Sequence, residues 1–458
     1  MTQTISNTVD IDSSPKSPSG PRGHFLLGHV RDMQHDALNF LLRLAHEYGD
    51  VARIRLLSKS SYIVSHPDGI RQILQKNHLN YDRHNFTYDP LRIFLGNSLP
   101  LADGGPWQRQ RHLVQPAFHK QQIANMATQM VKAGDMLLKR WEDRANQGKP
   151  LDMHEEMVQV ASGIVGTTLF SLDLTTENPM GQAFQTLIQA IADYLLLPFP
   201  PLSVPTPRNR RIRATLNTLN TLVYDLIRKR REQKTDTGDL LSLLLASDED
   251  GSGMNDQQLR DEIVSFFFTG HEAPANALTW ALYELSQHPE VERRLWEEID
   301  TVLHGKYPTV VDLPQLPYAR MIIDETLRLY SPAALITRHA LAGDNICGYS
   351  IPVNSLVMAN IYATHRHSAY WEQPETFDPD RFSPDHPCKG ACTAYFPFGS
   401  GPHLCIGNAF GLMEMQILLT MIIQRYQLQL APNQTVEPIM RLSIGPRQGL
   451  LMLPKARK

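Results

Sequence analysis

Apolar residues recur at helical spacing along most of the chain, and only a few short segments alternate like strands. The longest helical pattern begins near the capping pair Asn255-Asp256 and continues to about Gln287, where His288-Pro289 ends it. At 1.5 Å per residue, these roughly 32 residues span about 48 Å. The apolar run 263–268 predicts that this helix is buried centrally.

Two further helices are indicated, one over residues 37–48 and one that starts just after Cys405. The helix after Cys405 has a wide apolar stripe, which argues for burial. Strand-like runs lie at 51–57 and 61–65, and between about residues 337 and 405 proline, glycine and β-branched residues dominate. The expected fold class is therefore mainly α with small β-sheets.

Composition narrows the class of protein without naming it. The chain has 458 residues, of which 42% are hydrophobic, and its net charge is −3, so no global field favours nucleic acid. Four cysteines do not make a disulfide framework in a chain of this length. Neither a signal peptide nor an uncharged apolar run of about 18 residues occurs. These features predict a cytoplasmic protein without a transmembrane segment.

The strongest chemical signal is a glycine-rich loop around one cysteine. Gly399, Gly401 and Gly407 flank Cys405, which precedes the predicted helix. Glycines let the backbone approach a flat group closely, and a helix start presents free N–H groups and a positive dipole end. Both features favour a thiolate, the form in which cysteine binds a metal.

Two other interpretations of this segment remain open on the residues alone. In the first interpretation, Cys405 is an ordinary buried thiol without a ligand. In the second, Cys388-x3-Cys392 and His403-x-Cys405 supply four tetrahedral ligands to zinc. A closed zinc site, however, does not need the run of aromatic residues and glycines that precedes Cys405.

The segment resembles the haem-binding loop of soluble, bacterial-type cytochrome P450 proteins. Phe398, Gly401, His403, Cys405 and Gly407 match the signature F-x-x-G-x-[HR]-x-C-x-G. The resemblance extends from about residue 21 to residue 453. It implies a haem b cofactor with Cys405 as axial thiolate ligand, and one haem domain over residues 21–458 with its long helix above the haem. Residues 1–20 are expected to form a disordered tail.

Further residues match positions that the family uses for cofactor and fold. By resemblance, Glu325 and Arg328 join Arg381 in a buried structural network. The resemblance also assigns haem contacts to Phe398 and Gly407 and haem-propionate contacts to four donors: Trp107, Arg111, Arg338 and His403. Arginine suits such contacts because its planar fork binds two carboxylate oxygens.

The long helix departs from the family pattern [AG]-G-x-[DE]-T-T. Gly270 and Glu272 match it, but Ala273 and Pro274 stand where the threonines are usual. The resemblance places Gly270, Glu272 and Ala273 at the catalytic position beside dioxygen. Without the threonine, a substrate hydroxyl or extra water substitutes, peroxide replaces O2, or an oxidised substrate is rearranged. Because Glu272 is retained, we expect O2 chemistry with altered proton delivery.

By resemblance, the protein is a monooxygenase that hydroxylates or epoxidises a hydrophobic small molecule such as a fatty acid, terpenoid or polyketide. Alternatives are a peroxygenase, a hydroperoxide isomerase or dehydratase, and a haem-binding sensor or carrier. The predicted substrate pocket includes Phe94, Leu195, Thr269, Ala333 and Leu335.

No flavin or iron–sulfur motif is present, so two electrons must come from a separate ferredoxin or flavodoxin with its reductase. This partner is expected to dock near the Cys405 loop, where Arg109, His112, His119 and Lys120 add positive charge. We expect the protein to be a monomer.

Overall fold

Helices form most of the structure, a computed structural model that describes residues 16–172, 178–196, 199–233, 237–246, 253–385 and 393–457. In chain order the helices are α1 (Val30–Tyr48), α2 (Pro67–Arg71), α3 (Asp89–Leu95), α4 (Gly104–Val114), α5 (Lys120–Asn146), α6 (Met153–Leu169), α7 (Pro179–Leu196), α8 (Pro207–Gln233), α9 (Leu240–Ala246), α10 (Asp256–Gln287), α11 (Pro289–Leu303), α12 (Pro317–Leu329), α13 (Ile361–Thr364) and α14 (Asn408–Arg425). The predicted fold class is confirmed.

Within the described residues, short strands form four small sheets. They are β1 (Val51–Leu56), β2 (Lys59–Val64), β3 (Tyr81–Asp82), β4 (Leu151–Asp152), β5 (Leu335–Ala340), β6 (Asp344–Ile346), β7 (Tyr349–Ile351), β8 (Leu356–Asn360), β9 (Tyr426–Leu430), β10 (Pro438–Met440), β11 (Ile444–Pro446) and β12 (Leu451–Ala456). The main sheet has the order β1-β2-β8-β5-β3, in which only β2 and β8 pair in parallel. The other sheets are β4-β12-β9, β10-β11 and β6-β7.

Helix α10 runs through the centre of the helical core, as its apolar pattern predicts. The side chain of Asn255 caps it by accepting a hydrogen bond from the Gln258 N–H at 2.9 Å. Helices α6, α12 and α14 pack against α10 and shield most of its length from solvent. A helix that is shielded on several sides can carry apolar residues on all its faces, which explains the run 263–268, apolar except for the buried Ser265.

Helix α1 begins seven residues before the predicted start at residue 37. The backbone is non-helical at Asp36, with φ −153° and ψ 73°, and the Asp36 side chain accepts hydrogen bonds from Asn39. Asp36 therefore acts as an internal cap. The pattern from residue 37 identified the second of two helical pieces.

The predicted tail boundary at residue 20 falls within hydrogen-bonded chain. Lys16 exchanges backbone hydrogen bonds with Gly348 and Ser350, and the Arg53 N–H donates to the Ser19 carbonyl at 2.7 Å. Residues 1–15 of the predicted tail lie outside the described residues.

A buried acid in α10 makes the stability of the fold depend on pH. Glu262 is fully buried, and its burial, together with the charge of Asp261, raises the pKa of Glu262 to about 8. In the unfolded chain Glu262 ionises near its ordinary pKa of 4.5, whereas in the folded chain it stays protonated up to about pH 8. The folded state therefore loses stability as the pH rises from about 4.5 to 8. Between pH 5 and pH 8 this loss amounts to roughly 3 kcal/mol.

We therefore expect the free energy of unfolding of Glu262→Gln, relative to that of the parent protein, to rise by about 3 kcal/mol between pH 5 and pH 8. Urea unfolding at pH 5 and pH 8, followed by tryptophan fluorescence, measures the gain. The exposed acid Glu297, changed to Gln, is the control and should show no such trend. An equal dependence on pH in the Glu262→Gln and parent proteins would contradict the assignment.

Candidate active site

The cysteine loop folds back on itself immediately before α14. The Cys405 N–H donates to the Phe398 carbonyl at 3.0 Å, and the Leu404 N–H donates to the Gly401 carbonyl at 3.0 Å. Gly401 has a positive φ of 72°, and a Cβ atom there would lie 2.0 Å from the Leu74 carbonyl oxygen. Only glycine fits this position, which is the close backbone approach expected from the sequence.

Cys405 lies two residues before Gly407, the N-cap of α14. Its side chain lines an internal cavity, so Cys405 is accessible from the cavity although protein surrounds it. Burial raises the pKa of the Cys405 thiol, while the Gly407 N–H and the Arg111 charge act in the opposite direction. A cation bound in the cavity would stabilise the thiolate.

The cavity encloses about 380 Å³ between α10 and the cysteine loop. Its wall is mostly apolar, and its charged residues gather around His403. The Trp107 and His403 rings lie 4.0 Å apart, and Arg111 Nη1 donates to the Leu404 carbonyl at 3.0 Å. Arg338 and Arg83 complete the cluster, since both contribute to lowering the pKa of His403, which burial lowers most. All four donors predicted from the sequence line this cavity.

Arg83 is a cluster member that the sequence did not reveal. It is buried, its Nη1 donates to the Ala102 carbonyl at 2.8 Å, and it lines the cavity. Burial and the neighbouring Arg338 lower the pKa of Arg83 to about 9. No short motif surrounds Arg83, so only the three-dimensional contact identifies it.

This donor set fits a haem. Arg83, Arg111 and Arg338 surround the imidazole of His403, and of these three arginines only Arg83 has a carboxylate partner among the described residues, Asp103 at 3.4 Å. The Nδ1 atom of His403 is buried without a hydrogen-bond partner. Two further carboxylates would neutralise the charge of Arg111 and Arg338, and one of them would accept a hydrogen bond from His403 in the tautomer that protonates Nδ1. A haem carries two propionates on a flat ring, and the cavity places Cys405 and Phe398 on the same wall.

The sequence as a whole matches the same family. The cytochrome P450 family model matches residues 18–458. The chain belongs to the cytochrome P450 family. It is similar to a pentalenene oxygenase of Streptomyces avermitilis, with 35% identity over 90% of this chain and 92% of the relative. It is also 33% identical to a cyclooctat-9-en-7-ol 5-monooxygenase of Streptomyces melanosporofaciens, over 90% of this chain and 89% of the relative.

A solved structure supports the same assignment. The crystal structure of the cytochrome P450DA heme domain superimposes with a TM-score of 0.88 at 26% identity, covering 97% of this chain and 98% of that one. The predicted enzyme class is confirmed: the chain is a P450 monooxygenase, an oxidoreductase that incorporates oxygen from O2. Among the described residues, no helix is both long and apolar enough to cross a bilayer.

Helix α10 presents Thr269, Gly270, Ala273 and Pro274 to the P450 cavity. Thr269 Oγ1 donates to the Ser265 carbonyl at 2.8 Å. A Cβ atom on Gly270 would approach Val165 of α6 to 3.2 Å, so this glycine also allows close helix packing. Thr269 and Ala273 are four residues apart and share one helix face.

Pro274 faces Gly411 of α14. A Cβ atom on Gly411 would lie 3.9 Å from Pro274 Cγ. Both residues line the cavity. The absence of a side chain at Gly411 leaves space beside the proline ring.

Glu272 points away from this wall. Ser443 Oγ donates to Glu272 Oε1 at 2.8 Å, and Asn276 Nδ2 donates to Ser443 Oγ at 2.6 Å. Burial raises the pKa of Glu272 despite these hydrogen bonds. Unlike Gly270 and Ala273, Glu272 is not among the residues that line the cavity.

The predicted structural network is present. Both carboxylate oxygens of Glu325 bind Arg328, at 2.6 Å and 2.7 Å, and Glu325 Oε1 also accepts from Arg381 Nε at 3.3 Å. Glu325 and Arg328 are fully buried. Arg328 also donates to the carbonyl oxygens of His365, Pro374 and Thr376.

The predicted pocket residues divide into two groups. Thr269 and Ala333 line the cavity, whereas Phe94, Leu195 and Leu335 are not among the lining residues. The Phe94 ring packs edge-on against Tyr194, 5.6 Å between centroids, and Leu195 packs against the helical core. Strand β5 directs Ile336 to the cavity and its neighbour Leu335 to the opposite side, because side chains alternate along a strand.

The zinc interpretation rested partly on Cys388 and Cys392, which lie outside the described residues. Within the part of the chain that the structure covers, no group of three or more His, Cys, Asp or Glu side chains is arranged to hold a metal ion. His403 and Cys405 instead share the wall of the P450 cavity.

Proposed function

We propose that this P450 holds haem b through Cys405 and oxidises a cyclic terpenoid at a carbon–hydrogen or carbon–carbon double bond. The observation that carries the substrate class is the apolar wall around α10, beyond the arginine cluster. Its members are Leu99, Pro100, Leu169, Phe266, Ala333 and Ile336. Such a wall favours a rigid hydrocarbon, because few polar groups need to be matched. The two Streptomyces relatives are named for the oxidation of pentalenene and of cyclooctat-9-en-7-ol.

Different residues would bind the iron, the propionates and the ring of the cofactor. Cys405 would ligate the iron, Arg83, Arg111, Arg338, Trp107 and His403 would bind the propionates, and Phe398 would pack against the ring. When bound, the haem supplies the activation of dioxygen, and the thiolate sets its reactivity. The α10 wall orients the substrate and excludes water.

A spin-state titration tests the substrate class. Polycyclic sesquiterpene and diterpene hydrocarbons should shift the Soret band of the purified holoprotein to shorter wavelength. Lauric acid, whose carboxylate would meet the apolar α10 wall, should give no shift. A shift with lauric acid and none with the terpenes would reject the terpenoid proposal.

We propose that the hydroxyl group of Thr269 takes over the role of the threonine hydroxyl that is missing at Ala273. It lies one turn before Ala273 on the same face of α10, and its side chain is open to the cavity. Its hydroxyl hydrogen points to the Ser265 carbonyl, and rotation about the C–O bond turns it into the cavity. The buried Glu272 and Ser443 pair would supply protons from behind the helix.

We expect Thr269→Val to lower the product formed per NAD(P)H consumed by about tenfold, with hydrogen peroxide released instead, because proton transfer loses its donor. Thr279→Val is the matched control: Thr279 makes the same bond to the carbonyl four residues earlier but is fully buried. Adding Ala273→Thr to Thr269→Val should restore coupling. Unchanged coupling in Thr269→Val would rule out this role, and product from peroxide alone at equal yield would favour a peroxygenase.

The electron donor is proposed to dock where α4 and α5 border the cysteine loop. Arg111 contacts Leu404, and Gly407 lies beside Phe118, so the exposed His112 and Lys120 flank the ligand loop. Arg109 is less available, because it donates to the Gly253 carbonyl and to Gln258. An acidic ferredoxin matches this surface in charge.

The double variant His112→Glu, Lys120→Glu should slow reduction by an acidic ferredoxin about tenfold at low ionic strength, with the difference shrinking as salt is added. Stopped-flow spectrophotometry under carbon monoxide measures the rate. Lys59→Glu, on strand β2 of the main sheet, is the control. An unchanged rate in the double variant would move the docking site elsewhere. The cytoplasmic location and the monomeric state remain predictions.

A further inference from the structure

Helix α10 contains three consecutive ionisable residues that the proposed chemistry does not use. Arg260, Asp261 and Glu262 are all buried, and none of them lines the cavity. Burying charged groups is unfavourable unless each finds a partner. Their partners lie mostly in the segment 94–99, which connects α3 to the cavity wall.

The two carboxylates bind backbone N–H groups of that segment. Asp261 Oδ2 accepts from the Asn97 N–H at 3.1 Å, and Glu262 accepts from the Leu99 N–H at 3.0 Å and 3.2 Å. Arg260 Nη1 donates to the Phe94 carbonyl at 2.8 Å and to Asp261 Oδ1 at 3.0 Å. Three backbone groups within six residues are therefore fixed by consecutive residues of α10.

Gly96 shows how closely the segment follows these carboxylates. Its φ is +60°, and a Cβ atom there would lie between 1.9 and 2.2 Å from the Asp261 carboxyl atoms. No side chain fits without moving either the segment or the Asp261 side chain. The segment then continues into Leu99 and Pro100, which line the cavity.

We propose that Asp261 and Glu262 are positioning residues that fix the 96–100 segment as a wall of the substrate cavity and so set which ligand shapes fit. The inference rests on the proposed haem site, since the cavity is the substrate site only if Cys405 binds the cofactor. Neither carboxylate touches the substrate. Both act through the backbone N–H groups that they hold.

The variants should change the wall without removing a cofactor contact. In Asp261→Asn, one oxygen becomes an N–H donor, so the residue can no longer accept from both Arg260 and Asn97. Gly96→Ala places a methyl group against the Asp261 carboxyl group, so either the segment or that side chain must move. Glu284→Gln is the matched control, because Glu284 is a buried acid of the same helix that binds the Tyr330 hydroxyl.

Two nitrogen ligands of different size report on the wall. Imidazole reaches the iron without needing the wall, whereas 4-phenylimidazole must pack against it. We expect Asp261→Asn and Gly96→Ala each to weaken 4-phenylimidazole binding at least about fivefold, measured by the Soret shift, and to leave imidazole binding within about twofold. Glu284→Gln should leave both affinities unchanged.

Hydrogen–deuterium exchange gives a second readout that does not depend on ligand. Peptides covering residues 94–102 should exchange faster in Asp261→Asn than in the parent and Glu284→Gln holoproteins, because the Asn97 amide loses its charged acceptor. Unchanged exchange together with an unchanged ratio of the two affinities would overturn the proposal, as would equal weakening of both ligands. If the parent protein shows no Soret shift with imidazole, the haem site itself is wrong.

Discussion

Replacing Cys405 by serine is expected to abolish the red-shifted Soret band of the reduced, carbon monoxide-bound protein and all monooxygenase turnover with it. The reason is electronic, because only a thiolate ligand donates enough electron density to give that band and to favour oxygen activation. A serine hydroxyl at the start of α14 keeps the loop but is a much weaker donor. The measurement is a reduced carbon monoxide difference spectrum of purified protein.

The chain provides a cysteine control for this experiment. Cys347 lies in the exposed turn between β6 and β7, with a positive φ of 51°. Cys347→Ser should retain the full band, and haem content measured as the pyridine complex should be equal in parent and control. Persistence of the red-shifted band in Cys405→Ser would remove the ligand assignment. Loss of the band in Cys347→Ser would show that the band reports the stability of the folded protein and not the identity of the iron ligand.

The cofactor end of the site was predictable because its residues lie in short motifs with fixed backbone geometry. Gly401 must pass the Leu74 carbonyl, and Trp107 and Arg111 share one face of α4, so local spacing already encodes their positions. The long helix α10 was equally accessible, since its cap and its apolar run are both local signals. Motif and periodicity therefore predicted the fold class and most of the residues that are proposed to hold the cofactor.

The substrate end was less predictable because its residues come from segments that are distant in sequence. Leu335 and Ile336 are equally apolar, and only the register of β5 against β8 decides which one faces the cavity. Arg83 belongs to no motif, and the direction of Glu272 depends on Ser443, 171 residues later. Such choices depend on tertiary packing, which single-residue propensities do not contain.

Neutralising Glu325 should lower the free energy of unfolding more than neutralising an acid in an exposed ion pair. Glu325→Gln leaves the guanidinium of Arg328 buried without a counter-charge, and this loss should destabilise the fold by about 3–5 kcal/mol. Arg381 and the Asp378 N–H would lose the same charged acceptor. Urea unfolding of the variant, followed by tryptophan fluorescence, gives the difference in free energy.

An exposed pair separates this network from an ordinary ion pair. Arg293 and Glu297 are bonded at 2.7 Å on the surface of α11, and both side chains are more than 60% exposed. Glu297→Gln should therefore cost less than about 1 kcal/mol. If Glu325→Gln cost no more than Glu297→Gln, the carboxylate would not be compensating the buried charge, and the carbonyl oxygens of His365, Pro374 and Thr376 alone would suffice to hold Arg328 in place.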